Sequence, residues 1–225
     1  RPCLVICPTS LVHNWAQEAE KFLPSLKVLP LQGKERKAHF GTLQDYDMVV
    51  TTYPLLTHDK EELLAQKYHA VILDEAQFIK NAKAHMTQIV HQLSARHRIC
   101  LTGTPLENHL GELWSLFHFL QPGFLGDEKA FNSTFRRPIE KHNDADKQHL
   151  LQRRIRPFML RRLKEDVAND LPPKTEIIRT VEMEKAQSDL YETIRLSMHD
   201  KVRQEIAKKG MARSHIVMLD ALLKL

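Results

Sequence analysis

HAVILDEAQFIKN, residues 69–81, is a short apolar run that ends on two adjacent carboxylates, Asp74 and Glu75. Consecutive Val, Ile and Leu suit a strand buried on both faces of a sheet. An unpaired carboxylate is costly to bury, so the pair must emerge at the end of that strand and meet water, a metal or a cation. Taken alone, the pair could also simply open a helix, where acidic groups complement the macrodipole.

Outward from this stretch the same texture repeats. CLVIC (3–7), LKVLPL (26–31), DMVVTT (47–52) and HRICLT (97–102) are further β-rich runs, and helical spacing separates them. In the first intervening segment Leu11, Trp15, Ala19 and Phe22 fall on one stripe of a helix. Nearly uniform apolar strands alternating with helices imply a parallel sheet covered on both faces, an α/β fold that places its sites at the C-terminal ends of strands. RICLTGTPLEN (98–108) supplies a second strand end, where Thr102, Gly103 and Thr104 let the backbone turn tightly beside a ligand.

After residue 120 the pattern changes. QPGFLGD (121–127) interrupts it with Pro and two glycines, and the chain from there to Val167 reads as helical and basic. From Lys147 to Lys164 the chain carries Lys147, Arg153, Arg154, Arg156, Arg161, Arg162 and Lys164 with no acidic residue between them. That is either a solvated helix face or a surface for a polyanion. LPPK (171–174) is a second punctuation, and TEIIRTVEM (175–183) then reads as a strand. Leu190, Ile194, Met198, Val202 and Ile206 continue at helical steps toward Gly210, and ALLKL (221–225) is a last apolar helical run.

Bulk composition narrows the class. The chain has 225 residues, 42% hydrophobic and 27% charged, which is ordinary for a folded globular chain and excludes a disordered one. A net charge of +5 tolerates a polyanionic partner without requiring it. Cys3, Cys7 and Cys100 lie in strand-like runs without CxxC spacing, pointing to buried thiols in a reducing compartment and away from disulfides or zinc. The 13 histidines are scattered without HExxH spacing and read as surface or core residues. No apolar run reaches the ~18 residues of a membrane span, and no signal peptide is visible. Because the chain enters a strand directly from Arg1 and ends inside a helical run, the expectation is a piece of a longer protein.

CPTSLVHNW (7–15), VVTTY (49–53), DEAQ with its trailing FIKN, and LTGTPLEN (101–108), in this order, resemble the superfamily 2 helicase motor and specifically its Snf2 family of double-stranded DNA translocases. ELWSLFHFLQPGFLG (112–126), RPFMLRRLKEDV (156–167) and LPPKTE (171–176) are similar to Snf2 blocks that come after motif III, and DEAQ with LQPGFLG looks more like the prokaryotic branch. The resemblance implies an α/β fold with a RecA-like parallel sheet flanked by helices, the first lobe of a P-loop NTPase truncated before its P-loop strand, over residues 1–120. It further implies a Snf2-type helical protrusion over 121–174, and a strand and helices over 175–225 leading toward a second lobe. By the same resemblance Asp74 holds Mg²⁺ through water, Glu75 is the catalytic base, and Gln77 couples nucleotide to motif III. Thr102, Gly103 and Thr104 belong with these three in the ATP site. Pro8, Thr9, Ser10, Thr51, Thr52 and Tyr53 lie along double-stranded DNA, the threonines and Ser10 donating hydrogen bonds to phosphates without reading sequence. Arg161 and Arg162 either face DNA or brace the protrusion. Read from the residues alone, Thr9 or Ser10 is a helix N-cap and Trp15 is core rather than a base-stacking platform.

The departures from the family pattern are equally specific. A phosphate-cradling GxxxxGKS or GxxxxGKT is absent, the lone Gly-Lys pair being Gly33-Lys34 followed by Glu35. Motifs of the second lobe are absent too. The expectation is therefore part of the motor of an ATP-dependent double-stranded DNA translocase, a DNA-dependent ATPase in its parent, with this polypeptide alone neither binding ATP and Mg²⁺ tightly nor turning ATP over. A non-catalytic RecA-like DNA-binding or scaffold module is the alternative. A DEAD-type RNA helicase would carry DEAD and SAT where this chain has DEAQ and TGT. Expected partners are double-stranded DNA, the second RecA-like lobe of the same parent, and another protein–DNA complex as substrate, with no membrane. The expected location is the bacterial cytoplasm, at the nucleoid, rather than a nucleus.

Overall fold

A computed structural model of the chain describes residues 1–104, 108–162, 175–211 and 214–224. Residues 105–107 of LTGTPLEN, and 163–174 with Lys164 and LPPK, lie outside the described residues. Two compact units are present, Arg1–Arg161 and Arg162–Leu225.

Five strands form the sheet of the first unit: β1 (Cys3–Cys7), β2 (Val28–Pro30), β3 (Met48–Thr52), β4 (Lys67–Asp74) and β5 (Ser94–Leu101). Every pairing is parallel and the order is β2-β3-β1-β4-β5. All five expected runs form strands. β2 is shorter than LKVLPL suggests, as befits an edge strand that ends at a proline with no N–H to donate.

Period-two alternation sends the strands' side chains to two separate cores. Leu4, Ile6, Val49, Val71 and Leu73 pack with Leu56, Leu63, Ile89, Val90, Leu116 and Phe119. These come from α2 (Leu55–His58), α3 (Lys60–Leu64), α4 (His85–Gln92) and α5 (Leu110–Leu120). On the opposite face Val5, Cys7 and Val50 pack with Val12, joined by Trp15 and Ile72, so that α1 (Val12–Phe22) covers it. In register, the row Val50, Val5, Ile72 continues to Ile99 on β5, and Asp74 stands opposite Leu101. Ile99 and Leu101 are nevertheless 43% and 41% exposed, so among the described residues this face is less covered over its last strand. The α1 stripe holds for Leu11, Trp15 and Ala19, all partly buried, but Phe22 is 76% exposed, standing at the helix's final residue past its packed turns.

A 3₁₀ segment, Glu35–Asp45, is fastened at its start. Arg36 donates from Nε and Nη2 to the two carboxylate oxygens of Asp59 at 2.7 and 2.8 Å, and from Nη1 to the Gly33 carbonyl at 2.7 Å. Asp59, at the junction of α2 and α3, is buried.

Beyond residue 120 the chain is helical: α6 (Glu128–Phe131), a π-helical turn (Asn132–Arg136), α7 (Arg137–His142), α8 (Ala145–Ile155) and a 3₁₀ turn (Arg156–Phe158). QPGFLGD turns through Gly123 and Gly126, both at positive φ. The Trp114 indole N–H then closes on the Gly126 carbonyl at 3.0 Å. Asp127 caps α6 and Asp144 caps α8, each accepting a backbone N–H. Leu113, Trp114 and Phe117 of α5 pack with Leu125, Phe131, Phe135 and Leu151, so these helices sit on the same α5 that closes the sheet's core. They belong to the compact unit that runs through Arg161.

In the second unit α9 (Lys185–Lys209) and α10 (His215–Leu223) lie against each other, with Met198, Val202, Met218, Ala221 and Leu222 lining an apolar cavity between them. Gly210, at φ 76°, ends α9 where the sequence places its stop. The expected strand over 175–183 is not present: residues 175–184 pair with no strand and are exposed throughout. Alternating apolar residues such as Ile177 and Val181 do not make a strand without a partner to take their backbone N–H and C=O groups.

Candidate functional site

The C-terminal edge of the sheet gathers the residues that the sequence singles out. Asp74 is the last residue of β4, and Glu75 leaves the strand in a left-handed conformation, φ 51° and ψ 53°. That conformation is strained for a residue with a Cβ and turns the chain sharply into the 3₁₀ turn Ala76–Ile79. Three groups hold Asp74. Its Oδ1 accepts the Glu75 N–H at 3.0 Å, its Oδ2 accepts the Trp15 indole N–H at 2.8 Å, and its main-chain carbonyl accepts the Tyr53 hydroxyl at 2.8 Å. The Tyr53 ring stacks on Phe78 with centroids 4.8 Å apart.

A second chain of bonds runs sideways from Glu75. Gln77 Nε2 donates to Glu75 Oε2 at 2.8 Å, Thr102 Oγ1 donates to Gln77 Oε1 at 2.7 Å, and the Thr104 N–H donates to Thr102 Oγ1 at 3.1 Å. The ends of β4 and β5 are thus joined side chain to side chain. Gly103 is exposed, and a Cβ there would meet nothing within 4 Å, which leaves the loop open on that side.

Burial sets the remaining electrostatics. Cys7 is pushed up to about 11, mainly by desolvation and further by the Asp74 charge, and Cys100 up to about 12 by desolvation. Burial thus favours the protonated thiol at both positions. The Tyr53 phenol is raised by burial first and by Cys100 and Asp74 next, so it remains a hydrogen-bond donor. Among the described residues no group of three or more His, Cys, Asp or Glu could cage a metal. Two adjacent carboxylates at a strand end suit a hydrated Mg²⁺ that completes its shell with phosphate and water oxygens. The cradle for those phosphates is not among this chain's motifs.

The residues expected along DNA divide. Thr9 and Ser10 are exposed on a 3₁₀ turn, Thr9–Leu11, that leaves the end of β1, with Pro8 half-buried before it. Neither hydroxyl caps a helix, because the N-cap of α1 is Leu11; this corrects the capping expectation. Thr51 and Thr52 are buried, and the Thr51 hydroxyl is committed to the Leu31 carbonyl at 3.3 Å. Tyr53 is buried with its hydroxyl on Asp74. Thr51 and Thr52, expected as hydrogen-bond donors to DNA phosphates, thus sit on a β3 that lies inside the sheet with both faces covered, and Tyr53, expected beside DNA, is buried directly after it. Arg161 and Arg162 are exposed, one closing the first unit and the other opening the second. Trp15, read from sequence as core, does pack against the Val5, Cys7, Val12 and Val50 cluster, partly buried, and in addition places its N–H on Asp74. Nothing in the spacing signals a bond between residues 59 positions apart.

An all-parallel sheet flanked by helices, with a linked Asp-Glu, Gln and Thr-Gly-Thr constellation at its C-terminal edge, is a RecA-like arrangement. The chain matches the SNF2-related domain over residues 1–225 and belongs to that family. It is 38% identical over 230 residues to the TATA-binding protein-associated factor MOT1 of Saccharomyces cerevisiae, covering 96% of this chain and 12% of that protein. It is 38% identical over 225 residues to YwqA of Bacillus subtilis, 96% of this chain and 24% of that one. Against the human chromatin-remodeling ATPase INO80 the identity is 32% over 235 residues, 95% of this chain and 15% of that one. The solved Sulfolobus solfataricus SWI2/SNF2 ATPase core in complex with dsDNA superposes with a TM-score of 0.69 at 37% identity, covering all of this chain and 46% of that one. The chain therefore spans less than half the length of each. Family membership sets aside the DEAD-type RNA helicase reading.

Proposed function

We propose that this chain is part of the motor of an ATP-dependent double-stranded DNA translocase, coupling ATP hydrolysis to movement along duplex DNA. The observation that carries the reading is the unbroken chain of hydrogen bonds from Glu75 through Gln77 to Thr102 and Thr104, which ties an acidic strand end to its hydroxyl-bearing neighbour. In this reading Asp74 holds a Mg²⁺ ion through water, and the bound ion supplies charge neutralisation for the nucleotide's phosphates. Glu75 orients and deprotonates the attacking water, with Gln77 fixing one of its oxygens. Thr9 and Ser10, exposed at the β1 end, meet DNA phosphates. ATP is cradled by a segment outside this sequence and closed in by a second RecA-like lobe, so these residues act only within a longer polypeptide. The substrate is duplex DNA carrying another bound protein, and the protein works in the bacterial cytoplasm at the nucleoid.

A scaffold that kept the fold without catalysis would have no use for a glutamate held at positive φ beside a strand-terminal aspartate. In the protein that carries the whole motor, Glu75→Gln should lower DNA-stimulated ATP turnover by at least ~100-fold while nucleotide and duplex binding persist. Turnover at the wild-type rate would remove Glu75 as base and return the scaffold reading.

A further inference from the structure

We propose that Trp15 is a positioning residue for the carboxylate of Asp74, and that helix α1 thereby links the exposed Thr9–Leu11 turn to the metal-holding strand end. This rests on the function proposed above.

The geometry is specific. The Asp74 carboxylate receives one N–H on each oxygen, from Trp15 at 2.8 Å and from Glu75 at 3.0 Å. Two donors on opposite oxygens fix the rotation of the carboxylate plane, and each oxygen keeps lone-pair capacity for the water shell of a cation. Indole suits this task. It has one N–H and no acceptor, so the bond has a single sense and cannot invert as a hydroxyl's could. A hydrogen bond to an ionised acceptor is also about twice as strong as a neutral one. Tyr53 holds the same residue by its main-chain carbonyl, so the strand end is fixed while the indole sets the carboxylate's direction.

The placement of Trp15 gives the bond its second meaning. It sits one helical turn beyond the Thr9–Leu11 turn, on a helix that begins at Val12 directly after it. A polyanion engaging Thr9 and Ser10 pulls on the helix that carries the indole, and a displacement of α1 moves the donor on Asp74 Oδ2. A purely packing tryptophan would fill space at the same place without aiming its N–H at a carboxylate.

The experiment separates ring from N–H in the protein that carries the whole motor. Trp15→Phe keeps an apolar ring, and a benzothienylalanine at position 15 keeps the bicyclic shape while replacing the N–H by sulfur. Calorimetric titration with Mg²⁺ and a non-hydrolysable ATP analogue, with and without duplex DNA, reads the Mg²⁺ concentration for half-saturation. Both replacements should raise it about tenfold, and in both duplex DNA should lose its effect on that concentration, while the benzothienylalanine protein still unfolds in one cooperative thermal transition. If the benzothienylalanine protein titrates like wild type, the N–H positions nothing and the inference is overturned. If wild type itself shows no Mg²⁺-dependent nucleotide binding, the proposed function falls first and takes the inference with it.

Discussion

His91 shows how much a single side chain can reveal about where this lobe is vulnerable. Its Nε2 lies 3.2 Å from the Ser115 carbonyl, its ring meets His118 edge-on at 4.7 Å, and His118 stacks on Trp114 at 4.7 Å. Burial drives the His91 imidazole down from 6.5 to about 4, with His118 and Arg98 adding to the shift and the Ser115 carbonyl opposing it. His118 is lowered as well, by burial first and then by Arg98, and its Nδ1 has no hydrogen-bond partner among the described residues. Above pH 6.5 both folded and unfolded His91 are neutral and the residue contributes no pH dependence. Below it the unfolded chain takes up a proton that the folded chain refuses, so stability declines from pH 6.5 until about pH 4 and is level below that. The loss amounts to about 2 kcal/mol once the ring's partial contact with solvent is allowed for. Urea melts between about pH 4 and 7.5 should show this slope in wild type, and His91→Gln, which retains a donor for Ser115, should make it shallower, with His118 keeping its share.

At the scale of elements, the join between the 3₁₀ segment and the α2–α3 junction depends on one ion pair. Arg36→Met would leave the Asp59 carboxylate buried without its partner, which should cost about 3 kcal/mol in chemical denaturation; replacing both residues with apolar ones should recover much of that loss. Elements of this kind were readable from sequence where a single periodicity decided them. The five strands announced themselves as apolar runs, and α9 as a stripe ending at Gly210. The 175–183 segment misled because alternation states which face a strand would present but not whether a neighbour exists to pair with it. The site was half legible for a related reason. Asp74, Glu75, Gln77, Thr102 and Thr104 lie at strand ends, where local sequence dictates exposure. Thr51, Thr52 and Tyr53 lie within or against the sheet, where burial depends on helices from elsewhere in the chain. Trp15 was invisible as a donor because its acceptor arrives through the β1–β4 pairing, which no local pattern encodes.

For the molecule as a whole, the basic excess is not spread evenly, and Arg161 and Arg162 stand exposed at the boundary between the two compact units. If they touch phosphate, replacing both by Ala in the protein that carries the whole motor should weaken duplex binding and reduce the slope of log affinity against log salt by about 0.9 for each phosphate no longer neutralised; an unchanged slope would assign them to bracing the protrusion. The sheet's last strand has a consequence of another kind. Along β5, among the described residues, the α1-side surface stops being roofed while its outer rim of backbone amides and carbonyls faces no neighbouring strand. Ile99 and Leu101 therefore offer an oily shelf beside an open ladder, the combination by which one copy of a polypeptide adheres to the next. In the isolated chain that shelf is one place where copies can adhere, alongside the still more exposed Leu160 and Ile178.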